Sequence, residues 1–496
     1  MNRIIRIHPK DTVAVALDTL LPGDVLHLEQ EIRVRETVKK GHKVALKPVK
    51  AGDEIIKYGY PIGRASRDID AGTWVHIHNL TTGLEGLLDY EYQPCIGERE
   101  AVEAGSETFG GFLREDGQVG IRNEIWIVNT VGCINGLAEI LARRANELFK
   151  ERNIDGVHAF PHPYGCSQLG EDHRNTQRIL KGLVHHPNAG GVLVLGLGCE
   201  NNNIEEFKRV LGSCHDNRVR FLNCQDVDDE IEEGLELIEQ LVEYAESFKR
   251  QTVPVSKLKV GLKCGGSDAF SGITANPLVG AFSDMLIRRG GTAVLTEVPE
   301  MFGAETILMN RCVSREVFEK NVKMINGFKK YFMRYNQTIY ENPSPGNKEG
   351  GITTLEEKSL GCIQKGGTGT VVDVLDYGSQ AVKQGLNLLG GPGNDMVAVT
   401  ALAASGVQLV LFTTGRGTPL GGPVPTVKIA SNTELAIRKK NWIDFNAGTM
   451  LEGKDLNVIK QELFEYVLDV ASGNSRTQNE LNGYREIAIF KDGVTL

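Results

Sequence analysis

Short alternating segments open the chain. Ile4 to Ile7, Val25 to Leu28, Lys43 to Leu46 and Thr73 to His78 read as brief strands separated by Pro-Gly, Lys-Gly and Ala-Gly turns. LLPGDVLHL, VKKGHKVALKPVKAGDEIIKYGYPIG and DIDAGTWVHIHN share one habit, a turn glycine ahead of an extended polar and apolar run, which predicts a small β domain over residues 1–94. Periodicity then lapses. Pro, Gly, Glu and Ser mix without order around residues 95–110, which read as a linker. Beyond it, Ile125 to Val131, Gly156 to Pro161 and Gly191 to Leu197 are unbroken apolar runs suited to buried parallel strands, and helical stretches (Gly136 to Arg152, Asn175 to Val184, Glu205 to Leu211) follow them. A charged helix, Asp228 to Arg250, closes this unit at Val253-Pro254-Val255. The alternation resumes with Leu258 to Leu262, helix Pro277 to Arg288, strand Ala293 to Thr296 and helix Arg315 to Tyr335; a polar covering loop, Tyr340 to Gly351, interrupts it. Gly369 to Val374, helix Asp395 to Ser405, strand Gln408 to Thr413 and helix Lys454 to Ala471 complete the run. The predicted class is α/β: the small β domain, then two doubly wound, Rossmann-like units over 111–252 and 253–496.

Composition narrows the function classes. At 496 residues the chain exceeds one compact core. A formal charge of −9 without a basic block leaves no footprint for nucleic acid. No apolar run approaches the roughly 20 residues that span a bilayer, and MNRIIRIHPKD lacks the apolar core of a signal peptide, so a cytoplasmic, membrane-free protein is expected. Nine scattered cysteines without CxxC indicate neither a disulfide framework nor a zinc ribbon.

Position makes those cysteines interesting. Cys133, Cys166 and Cys199 each follow an apolar strand that ends in glycine, and adjacent parallel strands would bring the three thiols to one sheet edge. Such a trio can hold a soft metal, or an iron–sulfur cluster with an open iron; small cysteines also simply pack well at strand ends. Polar residues crowd around Cys166, and His173 there is a candidate proton carrier, unless Asp172-His173 only begins a solvated helix. His76 and His78 share a face if their segment is a strand, and imidazoles so placed can bind a metal; exposed surface histidines would look the same. His42, Lys43 and Lys57 give the small domain a basic face suited to an anionic substrate. KCGGSDAFSGITANP, from Lys263 to Pro277, reads as a polar ligand loop at a strand end, with Ser267, Asp268, Ser271, Thr274 and Asn276 as candidate contacts. Glu300, in TEVPE, is a candidate base or metal ligand, though Pro299-Glu300 would also suit a helix start. Arg416, in TTGRGTPLGG, offers a bidentate donor to a carboxylate.

The ordered motifs GHKVA, IKYGYPIG, VHIHN, TVGCINGLA, YGCSQLG, GLGCENN, CGGSDAFSGITANP, TEVPEMFGAE, ENPSPGN, PGNDMVA and TTGRGTPLGG closely resemble the altronate and galactarate dehydratase family of sugar-acid hydro-lyases over nearly the whole chain. The resemblance implies a SAF-like β-clip N-terminal domain. It also implies dehydration of D-altronate to 2-dehydro-3-deoxy-D-gluconate in hexuronate breakdown, with a divalent metal, Fe²⁺ or Mn²⁺. That chemistry needs removal of the C2 proton and departure of the C3 hydroxyl, with a metal on the carboxylate. The resulting expectation assigns metal ligation to His76, His78, Cys133, Cys166 and Cys199, proton transfer to Lys43, His173 and Glu300, and substrate binding to His42, Lys57, the Ser267 to Asn276 loop and Arg416. A homodimer, without nucleic acid or membrane partners, is expected. The alternatives are a galactarate or related aldarate or aldonate dehydratase, an iron–sulfur hydro-lyase, and a non-enzymatic sugar-acid binding protein.

Overall fold

A computed structural model describes residues 3–28, 30–96 and 107–495, so most of the expected linker lies outside the described residues. The N-terminal segment folds as short antiparallel strands in three small sheets: one places Lys43–Ala45 beside Val13–Ala16 and Trp74–Val75, and another pairs Glu54–Lys57 with Tyr60–Ala65. The turn glycines noted in the sequence sit in the left-handed region that such turns require, Gly41, Gly52, Gly59 and Gly72 among them.

The middle of the chain forms a parallel sheet from β1 (Glu124–Asn129), β2 (Val157–Ala159), β3 (Ala189–Gly196) and β4 (Val219–Asn223), in the order β2-β1-β3-β4. Every residue of β1 and β3 is buried, as expected of strands covered on both faces. The strands alternate with α1 (Asn135–Leu148), α2 (Gly170–Val184), α3 (Ile204–Leu211) and α4 (Glu230–Glu246). One apolar cluster joins α1 and α4 to the sheet, and another joins the sheet to α2 and α3.

A larger parallel sheet follows, from β5 (Lys259–Cys264), β6 (Thr292–Leu295), β7 (Val371–Leu375), β8 (Gly385–Leu389), β9 (Leu409–Thr414), β10 (Thr426–Ala430) and β11 (Phe445–Asn446). Its order is β7-β8-β6-β5-β9-β10-β11, parallel throughout. The chain order therefore reverses around β5, so loops leave β5 on opposite sides and a crevice opens at its carboxyl end. Flanking helices are α5 (Ala275–Arg288), α6 (Arg315–Arg334), α7 (Leu355–Cys362), α8 (Asp395–Ala404) and α9 (Leu456–Ala471). The largest core cluster runs without a break from Val49, Ile55 and Ile62 of the N-terminal domain into Leu262, Leu278 and Leu355. At about 1.5–3 kcal/mol per fully buried aliphatic side chain, this shared core seats the small domain over the carboxyl end of β5. Among the described residues no helix is long and apolar enough to cross a membrane.

Candidate active site

The crevice beyond β5 collects buried charge. Cys264 ends β5; its sulfur lies 3.3 Å from Cys362 Sγ, on α7, and 3.4 Å from Glu300 Oε2, and Cys362 Sγ lies 3.1 Å from that same oxygen. Among the described residues these form the one group of three or more His, Cys, Asp or Glu donors arranged to hold an ion. Two thiols and a carboxylate oxygen suit a borderline-soft divalent metal, and three protein donors leave positions open to a substrate. Glu300 Oε1 points the other way and accepts from Lys358 at 2.7 Å. Burial alone would raise the Glu300 carboxyl, but Lys358, Lys263 and Lys365 hold it well below the usual range. The Cys362 thiol is pushed up by its bond with Cys264 and by burial, so it is held protonated, and a cation bound there would have to take the place of that proton.

Two more glutamates organise lysines around this centre. Glu297 accepts from Lys263, from Lys365 at 2.9 Å and from the Cys264 amide at 3.1 Å. Its backbone is left-handed (φ 73°), a strained conformation for a glutamate, which bends the chain after β6. Glu357, on α7, accepts from Lys43 at 2.8 Å and Lys57 at 2.7 Å, both of which reach across from the N-terminal domain. Burial would raise Glu357, yet the two ammonium groups depress it. Burial wins at Lys43 and lowers it to about 8, whereas Glu357 and Tyr58 overcome burial at Lys57 and raise it. With Asp395 also on Lys263 at 2.8 Å, five lysines face four carboxylates, a surplus of one positive charge for an anionic substrate while Lys43 keeps its proton. Tyr58, Ser267, Glu357, Lys358 and Cys362 line a small cavity among these groups. The Ser267 hydroxyl is buried without a partner.

Three family models cover the chain in succession: an altronate/galactarate dehydratase SAF domain at residues 2–83, the D-galactarate dehydratase/altronate hydrolase second domain at 111–246, and the D-galactarate/altronate dehydratase C-terminal domain at 255–495. An altronate dehydratase of Bacillus subtilis (strain 168) is 53% identical over 500 residues, covering 100% of both chains. The chain belongs to the D-galactarate/altronate dehydratase family. An Escherichia coli (strain K12) altronate dehydratase is 53% identical over 99% of both chains, and the galactarate dehydratase (L-threo-forming) of the same organism is 34% identical over 98% of this chain and 96% of its own. The SAF domain of this dehydratase family is thus the segment that carries Lys43 and Lys57 into the crevice.

Several residues singled out from the sequence meet here, though not all as substrate contacts. Glu300, Lys43, Lys57 and Ser267 line or adjoin the buried centre. Asp268 is saturated instead: its carboxylate accepts from the Ser271 amide and hydroxyl, Ser431 and Asn432, and so fixes the loop. Thr274 donates to the Phe270 and Ser431 carbonyls, and Asn276 bridges Thr413 to the Gly361 carbonyl. Arg416 stands on the exposed rim, on Glu349 and the Gly346 carbonyl. The expected strand through His76 and His78 ends at Val75, and a turn follows. The shared histidine face is therefore lost: His76 is buried with Nε2 on the Lys348 carbonyl, while His78 lies exposed against the Trp74 ring. His42 accepts from Trp74 Nε1 and bonds the Glu349 carbonyl, so it docks the small domain on segment 340–351, and burial lowers it to about 4. His173 is on α2 beside Glu206, and Cys133, Cys166 and Cys199 are exposed at the middle sheet; none of these four belongs to the buried donor group.

Sequence reading leaves Cys264 open between a ligand and a loop-shaping residue and counts Glu297 with Glu300 as strand-end carboxylates, but it passes over Cys362, Lys263, Glu357, Lys358 and Lys365. Glu357 and Lys358 sit on a helix with every residue buried, where a charged sequence argues for a solvated face. Thr354 followed by Glu357 was the available signal, because the Thr354 hydroxyl accepts from the Glu357 amide as a helix N-cap.

Proposed function

We propose that this hydro-lyase removes water from D-altronate to give 2-dehydro-3-deoxy-D-gluconate, at the crevice between the SAF domain and the carboxyl end of β5. The observation that carries this reading is the donor face of Cys264, Cys362 and Glu300 Oε2, which opens beside a net positive lysine cluster. Identity of 53% to the altronate dehydratases, against 34% to the galactarate dehydratase, favours altronate. We read the two parallel sheets as Rossmann-like doubly wound units, which supply the crevice.

Those three residues would hold Fe²⁺ or Mn²⁺, which supplies Lewis acidity to the substrate carboxylate and lowers the cost of charge developing at C2. The other residues position the substrate and move its protons. Lys43, lowered to about 8, is the lysine of this cluster able to lose a proton near neutral pH, and Glu357 links it to the cavity; it takes the C2 proton. Lys358, held charged by Glu300 despite burial, lines the same cavity and gives a proton to the departing C3 hydroxyl. The C2–H electron pair becomes the C2=C3 bond as the C3–O bond breaks, and the enol so formed tautomerises to the 2-keto acid. Ser267, with its hydroxyl free, and Tyr58 contact the polyol chain.

The test is 2-keto acid formation from a panel of aldonates and aldarates, with chelated enzyme and after return of Fe²⁺ or Mn²⁺. Altronate turnover that depends on the added metal is expected. Preference for galactarate, or metal-independent turnover, would refute the reading.

A further inference from the structure

The three thiols at the middle sheet carry a separate inference. Cys166 follows β2, Cys133 follows β1 and Cys199 follows β3, and these are three neighbouring strands that end at one edge. Hydrogen bonds stitch their loops together. The Gly132 amide donates to the Tyr164 carbonyl at 2.9 Å, the Asn202 amide to the Gly165 carbonyl at 3.1 Å, and the Ser167 amide to Asn201 Oδ1 at 2.9 Å. Thr130, three residues before Cys133, donates to Glu200, which follows Cys199. A side chain at Gly165 would collide with the Thr130 carbonyl, so glycine before Cys166 is what permits this approach.

Gly132, Gly165, Ser167 and Glu200, each beside a thiol, are thus tied to a neighbouring loop, while the three thiols are exposed and in no disulfide. Cys133 leads into α1, and the other two loops lead into α2 and α3, so each thiol precedes a helix N-terminus, where negative charge is favoured. Gln225 Nε2 donates to Cys199 Sγ at 3.7 Å, the kind of N–H to sulfur contact that tunes thiolate-bound iron. Asn129 and Asn202, both fully buried at this edge, keep Oδ1 atoms without partners, acceptors available to a bound water or hydroxyl. The three sulfurs do not meet within the 4.8 Å that encloses the buried donor group, so they are spread too widely for one ion.

We propose that Cys133, Cys166 and Cys199 hold a [4Fe–4S] cluster whose fourth iron has no protein thiolate. This site is separate from the buried Cys264, Cys362 and Glu300 centre. Its solvent exposure makes it labile in air.

The experiment is anaerobic purification of the full chain, reconstitution with Fe²⁺ and sulfide, and measurement of acid-labile sulfide, visible absorption and the electron paramagnetic resonance of the reduced sample. About four sulfides per chain are expected. Cys133→Ser, Cys166→Ser and Cys199→Ser should each cut that at least tenfold, with an unchanged circular dichroism spectrum because the replaced thiols are exposed. Cys264→Ser should retain the sulfide, so the cluster stands or falls independently of the metal reading of the buried site. Absence of sulfide from reconstituted wild type, iron without sulfide, or sulfide retained in the triple serine variant would each overturn the proposal.

Discussion

Single residues set the electrostatics of the buried site, and Glu357 carries the most. Glu357→Gln leaves Lys43 and Lys57 buried around a neutral amide; loss of one partner of a buried pair costs about 3–5 kcal/mol, so a clear fall in the thermal midpoint is expected by calorimetry. The pH dependence follows from two opposite shifts. Glu357 is depressed, so its stabilisation is complete above the unfolded value of about 4.3 and drains away as pH falls toward the native one. Wild type should therefore lose stability below about pH 4, and Glu357→Gln should show a shallower acid limb. Lys43 is lowered to about 8, so between there and about 10.4 the unfolded chain holds a proton that native Lys43 has lost, and this group adds stability as pH climbs. In turnover, the neutral amine becomes available as pH passes about 8. A rise in kcat/KM through that range is expected for wild type, and Lys43→Arg, which keeps its proton, should lose the rise and most of the rate. Residue types in this region were legible in the sequence as candidates. Their pairing was not, because a lysine on one domain and a glutamate some 300 positions later carry no mutual signal in a single chain.

At the scale of elements, the site depends on tight approaches between loops and helices. Tyr58 and Gly59, both left-handed, turn the hairpin that drives Tyr58 toward Gly272 and Gly361. A methyl group at Gly272 would fall inside contact distance of the Tyr58 hydroxyl, so Gly272→Ala should lower kcat/KM by tenfold or more, with the fold unchanged by circular dichroism. Thr354→Ala removes the N-cap of α7 and should cost about 1 kcal/mol, read as a shift in denaturant midpoint. The apolar runs of β1, β3, β5 and β9 were plain in the sequence because strands covered on both faces are apolar on both, with their polar residues kept toward the ends. Helix α7 was invisible for the opposite reason: its buried Glu357 and Lys358 are charges neutralised by Lys43, Lys57 and Glu300, all distant in the chain.

At the scale of the molecule, access is the open physical step. The cavity at the centre has a volume of about 10 Å³, room for about one water and far less than a six-carbon acid. Entry therefore requires the SAF hairpin at Tyr58, or segment 340–351 held by His42 and His76, to move aside. Hydrogen exchange at residues 57–59 and 345–351 should slow on adding a non-reacting sugar-acid analogue; unchanged exchange there would place the substrate elsewhere. By itself the sequence determined the small β domain, the alternation of buried strands and helices, and the polar loop after β5, because periodicity and turn chemistry are local. Only the tertiary structure decided that Cys264, Glu300 and Cys362 meet, that Lys43 and Lys57 share Glu357 across a domain boundary, and that His76 and His78 part company in a turn. Those outcomes depend on which elements pack together, and burial sets the charge of groups whose partners lie far away in the chain.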